Sequence, residues 1–182
     1  VGPHNDGGWS QAHDQGRLYV QKMLGSKVQT TFKENVPEAP QVSQVIDSLV
    51  HDGNKVIFAT SFGYQNAVAA AAKKYPDVKF EMATGTVLAK NMTEYYGAGE
   101  DAIYLSGIAA GAASKSGVVG YVVPFAIPEV IRHTNAFTLG VQKAHPGAKV
   151  KIIWTNSWFS PDKEKKAAEN LHSAGAEDRK RT

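Results

Sequence analysis

Gly2-Pro3-His4-Asn5-Asp6-Gly7-Gly8-Trp9-Ser10 opens the chain as a turn-rich loop that runs straight into helical sequence over residues 11–24. Its three glycines let the backbone come close to a bound group. Asn5 and Asp6 offer hydrogen bonds, Trp9 offers a flat apolar face, and the helix start offers the positive end of a dipole. A ligand-binding loop between a strand and a helix is built this way. Only Val1 and Gly2 stand where that strand is expected, so the sequence reads as beginning inside a βα unit.

Outward from this loop, strand-like and helix-like segments alternate. Residues 28–32 form a short β-rich run. Val42, Val45, Ile46 and Leu49 repeat at helical spacing until Asp52-Gly53-Asn54 stops them. KVIFAT at 55–60 is a compact apolar strand; Val68, Ala71, Ala72 and Tyr75 mark the next helix, ended by Pro76. Residues 78–83 and 91–96 read as extended, and 102–114 as a small-residue helix. VVGYVV at 118–123 and residues 150–154 are near-continuous apolar strands, expected to be buried on both faces and to lie parallel and adjacent. Val130, Thr134, Phe137 and Val141 carry the helix between them, and Ser160 and Pro161 start a last helix over 161–174. The alternation predicts an α/β fold with parallel sheet. Ser114-Lys115-Ser116-Gly117 is the candidate boundary, giving an N-terminal lobe over 1–115 and a partial C-terminal lobe over 116–182.

Composition narrows the function classes. The chain has 182 residues, of which 42% are hydrophobic and 20% charged, as in ordinary globular proteins. No apolar run approaches the length of a membrane span. No signal peptide is visible, and a chain that starts within a unit can have lost one. The net charge of +3 owes part of itself to Arg179-Lys180-Arg181, so it argues little for nucleic acid, and no nucleic-acid partner is expected. With no cysteine there is no disulfide frame, no cysteine zinc site and no thiol nucleophile, which suits an extracytoplasmic bacterial protein.

In parallel α/β sheets ligands bind beyond the carboxyl ends of the strands, so the loops after strands are the candidate sites. Asn156-Ser157-Trp158-Phe159 has the make-up of the first loop: small polar groups beside an aromatic, then a helix start. Trp9 and Trp158 could sandwich a planar ring, with Asn5, Asp6 and Asn156 at its polar edge. Either tryptophan alone is as well explained by packing under its own loop; the repeated pattern favours a ligand. Thr60-Ser61-Phe62-Gly63-Tyr64 offers hydroxyls and amides at a helix start, equally readable as turn chemistry. The loop from Phe125 to Glu129 is similar, and there the helix dipole alone explains Glu129. An enzyme is hard to assemble. The six histidines show no metal-ligand spacing, and neither G-x-S-x-G nor a phosphate-binding G-x-x-x-x-G-K-[ST] occurs. No catalytic residue, metal or cofactor is therefore expected.

DGGWSQAHDQG (6–16), TTFKENVPE (30–38), KVIFATSFGY (55–64), the PDVKFEMATG run (76–85), the IPEVIRHTNAFTLG run (127–140) and NSWFSPDKEKKAA (156–168) together resemble the basic membrane protein (BMP) family. These are bacterial substrate-binding lipoproteins of ABC transporters that include purine nucleoside receptors. The resemblance runs in order to about Ala176. It implies a type I periplasmic-binding fold, with two Rossmann-like α/β lobes and a cleft that closes on a purine nucleoside or base. It also implies an ABC permease as partner and an extracytoplasmic, lipid-anchored location. Trp9 and Trp158 match the aromatic positions of the two lobes, and Asp6 matches an acidic ligand contact. Ser61, Phe62 and Gly63 match the loop near the sugar end, and Asn91 matches a polar residue close to the cleft. Phe125 joins this expected set. A family member would continue after Ala176 into a strand, whereas residues 177–182 are a polar tail, so the chain is expected to be truncated at both ends. The alternatives are an effector-binding regulatory module of the same fold, marked by a DNA-binding motif upstream, and a nucleoside-processing enzyme, which would need a carboxylate cluster.

Overall fold

The computed structural model describes residues 1–176, which divide into two compact units, Val1–Tyr96 and the stretch from Gly97 onward. No helix among them is long and apolar enough to cross a membrane. The expected polar tail lies outside the described residues.

The first unit holds three parallel strands in the order β1 (Val56–Ala59), β2 (Lys79–Ala83) and β3 (Met92–Tyr95). Helix α1 (Trp9–Leu24) precedes α2 (Gln41–His51) and α3 (Gln65–Lys74). Strand side chains alternate between faces, and β1 shows this in full, with Ile57 and Ala59 buried and Val56 and Phe58 exposed. Ile57, Phe80 and Met92 stand in register on one face, with Met82 beside them. They form one core with Val42 and Ile46 of α2 and Val68, Ala71 and Ala72 of α3. The helical spacing read in the sequence is what puts those α2 and α3 side chains on one stripe. Val56 and Phe58 point the other way and are exposed.

Two features of this unit differ from the sequence reading. Residues 28–32 are not a strand. No described strand lies beside them, and a ladder needs a neighbour for its N–H and C=O groups. Thr30 and Thr31 bond instead through their side chains, Thr30 with Arg17 (3.0 Å) and Gln21 (2.6 Å), Thr31 with Asn54 (3.3 Å). Helix α1 forms as expected, yet none of its residues is buried, and Leu18, Tyr19, Val20, Met23 and Leu24 are all exposed.

The second unit runs α4 (Gly99–Ala113), β4 (Val118–Val123), α5 (Pro128–Ala144), β5 (Lys149–Trp154) and α6 (Pro161–Ser173). β4 and β5 are parallel neighbours, paired from Val118↔Lys149 to Val123↔Trp154, as expected. Tyr121 stacks on Phe137 of α5 at 4.3 Å, over a core of Ala110, Val119, Val141 and Ala148. β5 departs from the reading of burial on both faces: Ile152 and Trp154 are exposed. At the start of α6, Pro161 takes the first position and Glu164 reaches back to the Ser160 amide at 3.0 Å. Glu164 thus gives the amide of the cap residue a partner from the fourth helical position, while the Ser160 side chain makes no cap bond.

The division falls after Tyr96 and not at 114–117, because α4 packs on α5. Gly107 and Gly111 of α4 and Gly140 of α5 bring the two backbones together. A methyl group at Gly140 would overlap the Tyr104 carbonyl oxygen, and one at Gly107 the Phe137 carbonyl oxygen. Backbone cannot yield as a flexible side chain can. Gly140→Ala is therefore expected to destabilise the second unit by about 1–3 kcal/mol, the usual cost of overpacking. Urea unfolding followed by circular dichroism measures this, and an unchanged midpoint would mean that the α4–α5 contact can relax.

Candidate ligand-binding site

The loop before α1 is pinned by one carboxylate. Asp6 accepts from the amides of Gly8 (2.8 Å) and Gln11 (3.0 Å) through Oδ1, and from the Ser10 amide (3.0 Å) through Oδ2. Burial raises its pKa, but these amides and the Ser10 hydroxyl outweigh that and hold the carboxyl below its ordinary value. Gly8 at the N-cap position has no side chain to give, so Asp6 satisfies the free amides of the first turn in its place. The sequence reading has Asp6 facing ligand; in the structure its lone pairs are already taken by its own loop. Asn5 lies exposed beside it.

Trp9 is then fixed in position. Its Nε1 donates to the Thr60 carbonyl at 2.7 Å, which ties the start of α1 to the end of β1. The ring stays 40% exposed and packs against His13 at 4.6 Å between centroids. The His13 Nδ1 lies 2.8 Å from the Trp9 carbonyl oxygen.

A second carboxylate, Glu38, organises the loop after β1. Its Oε1 accepts from the Ser61 hydroxyl and from the Gly63 amide at 2.8 Å. Tyr64 donates its hydroxyl to the Val36 carbonyl at 2.5 Å, and burial first, then Glu38, pushes its pKa up to about 12. Ser61 is buried and Phe62 half-buried. Sequence reasoning did not single out Glu38, which ends the TTFKENVPE run and lies 23 residues from its partner Ser61.

Asn91 is not brought together with these residues. It precedes β3, at the opposite end of the sheet from the loops after the strands. Its Nδ2 bonds three carbonyls, Ala72 (3.1 Å), Tyr75 (3.1 Å) and Val78 (2.8 Å), closing the turn between α3 and β2.

In the second unit, Phe125 follows β4 and Trp158 follows β5, and their rings meet at 4.9 Å. The Asn156 amide bonds the Pro124 carbonyl at 2.9 Å, and its backbone takes φ of 51°, a left-handed conformation that asparagine tolerates. Its side chain is exposed. The structure thus places a paired aromatic and a polar side chain on the two adjacent loops after β4 and β5. Among the described residues no group of three His, Asp or Glu side chains is placed to hold a metal ion.

Loops that follow parallel strands are where α/β proteins generally bind small ligands, and here those loops carry aromatic and polar side chains. The family model for PnrA-like ABC transporter substrate-binding proteins (Bmp) matches residues 1–177, and the chain belongs to this family, as its motifs predicted. It is 45% identical over 177 residues to a purine-binding protein of Brucella abortus (strain 2308), covering 97% of this chain and 51% of that protein. It is 40% identical over 173 residues to a putative ABC transporter glucose-binding protein of Haloferax volcanii, covering 94% and 44%. A solved solute-binding protein of an ABC transporter system from Aeropyrum pernix K1 shares the fold with a TM-score of 0.80 at 22% identity, over 97% of this chain and 51% of that one. The chain spans about half the length of the curated relatives it matches.

The Asp6 geometry makes a sharp prediction. Asp6→Ala frees three helix-start amides and is expected to cost about 0.5–2 kcal/mol, as loss of a cap does. Because the folded carboxyl is held below its ordinary pKa, the wild-type advantage is complete above the ordinary aspartate range and fades as pH falls through the folded value. Paired urea melts at pH 7 and pH 2.5 test this; a difference that persists undiminished in acid would contradict it.

Proposed function

We propose that the protein is the extracytoplasmic, lipid-anchored substrate-binding component of an ABC transporter. It binds a purine nucleoside or base without turnover and delivers it to a membrane permease. The observation that carries this reading is Trp9. Its ring is held by the bond to Thr60, on a loop pinned by Asp6, and keeps an exposed face at the carboxyl end of the first sheet. A rigid, half-exposed indole suits stacking on a planar base. The 45% identity to a protein named for purine binding supports the same choice. In the first unit the proposed contacts are Asn5, Trp9 and Phe62, with Asp6, Ser61 and Gly63 shaping the loops that present them. In the second they are Phe125, Asn156 and Trp158. Asn91 drops out of the set, since its amide group is engaged by three carbonyls.

The name of the Haloferax volcanii relative favours a second reading, a sugar ligand, because an exposed indole face also packs on a pyranose. Titration calorimetry of the full-length protein with adenine, adenosine, inosine and glucose separates the two. Stacking contributes about 1–3 kcal/mol per base in comparable sites. Trp9→Ala is thus expected to weaken purine affinity about tenfold or more. Binding of glucose and no purine would overturn the proposal, and so would release of free base from a bound nucleoside in proportion to protein.

A further inference from the structure

Among the described residues three that are not glycine have positive φ: Asn35 (55°), Thr84 (59°) and Asn156 (51°). Asparagine tolerates this left-handed conformation, whereas a β-branched side chain is strained in it. Of the three, Thr84 is the one whose residue type and backbone disagree.

The disagreement falls at a particular place. Thr84 directly follows β2, the central strand of the first sheet, at its carboxyl end. The register Ala59↔Met82, carried on by two residues, sets it across from Ser61. It thus stands one strand over from Thr60, whose carbonyl holds the Trp9 indole. Hydrogen bonds on both sides keep the backbone where it is. The Thr84 amide donates to the Tyr95 carbonyl at 3.1 Å, and two residues on, the Thr86 amide donates to Gln65 Oε1 at 3.2 Å. Strain held in place by its surroundings gathers at ligand clamps and active sites.

The fold makes no use of the Thr84 hydroxyl. Thr84 is 8% exposed and no described residue bonds its hydroxyl, whereas the Ser61 hydroxyl opposite is taken by Glu38. Nor is the hydroxyl sealed from solvent, so a bound molecule can reach it. Glycine would adopt the same backbone without strain.

We propose that Thr84 is a ligand contact: its strained backbone holds the hydroxyl at the carboxyl end of the sheet, where it hydrogen-bonds the polar edge of a purine lying on Trp9. This rests on the purine-binding reading above and adds a residue to it.

Titration calorimetry of the full-length protein with adenine and adenosine tests this, with urea unfolding of each variant alongside. Thr84→Val keeps the branched shape and the strain and removes the hydroxyl, so purine affinity is expected to fall by about fivefold to tenfold, the worth of one hydrogen bond. Thr84→Ser retains the hydroxyl and should bind nearly as the wild type does. Thr84→Gly removes hydroxyl and strain together. It should unfold at higher urea than the wild type and yet lose as much affinity as Thr84→Val. Wild-type affinity in Thr84→Val, an affinity in Thr84→Ser as low as that of Thr84→Val, or a Thr84→Gly variant no more stable than the wild type would each overturn the role of Thr84 and leave purine binding standing. Failure of the wild type to bind either purine would overturn both.

Discussion

The carboxylate of Asp6 is the interaction on which the first unit's exposed aromatic surface depends. Helix α1 buries none of its side chains, so no apolar stripe locks it onto the sheet. What fixes its first turn is the set of three amides closed by Asp6, followed by the Trp9 indole bonded to Thr60. That first turn carries Trp9, and the next carries His13. Removal of Asp6 would loosen a cap and, through it, the placement of two rings. The acidic side chain of this loop thus acts through geometry.

Glu38 has the corresponding role in the loop after β1. It gathers the Ser61 hydroxyl and the Gly63 amide, groups a ligand could otherwise claim, and draws the segment before α2 against the segment after β1. Both carboxylates sit where parallel strands end and helices begin, where free amides are concentrated. The same constraint concentrates ligand sites there in α/β proteins. In this chain the amides nearest the carboxylates serve loop rigidity, and the aromatic face of Trp9 remains exposed.

Much of this organisation was legible in the sequence because it rests on period and order. The helical repeat of Val42, Val45, Ile46 and Leu49 and the apolar run at 118–123 each became the expected element, and β4 and β5 pair in parallel as the βαβ rule requires. Less was legible where the outcome depends on a distant partner. Residues 28–32 have strand composition, but a strand exists only with a neighbour, and none is described beside them. The small-residue helix over 102–114 was legible, yet the sequence does not say that Gly140 of α5 closes against its glycines, which moves α4 into the second unit. Asn91 and Asp6 read as free polar groups because their carbonyl and amide partners are visible only once the chain is folded.

The most direct test of this account is a crystal structure of the full-length protein with a bound purine nucleoside or base. The account predicts the base plane stacked on the exposed face of Trp9, with the indole still bonded to Thr60 and the Asp6 amide contacts intact. A base bound away from Trp9, or a first loop that abandons the Asp6 contacts to admit it, would contradict the central claim that a pre-pinned aromatic face recognises the ligand.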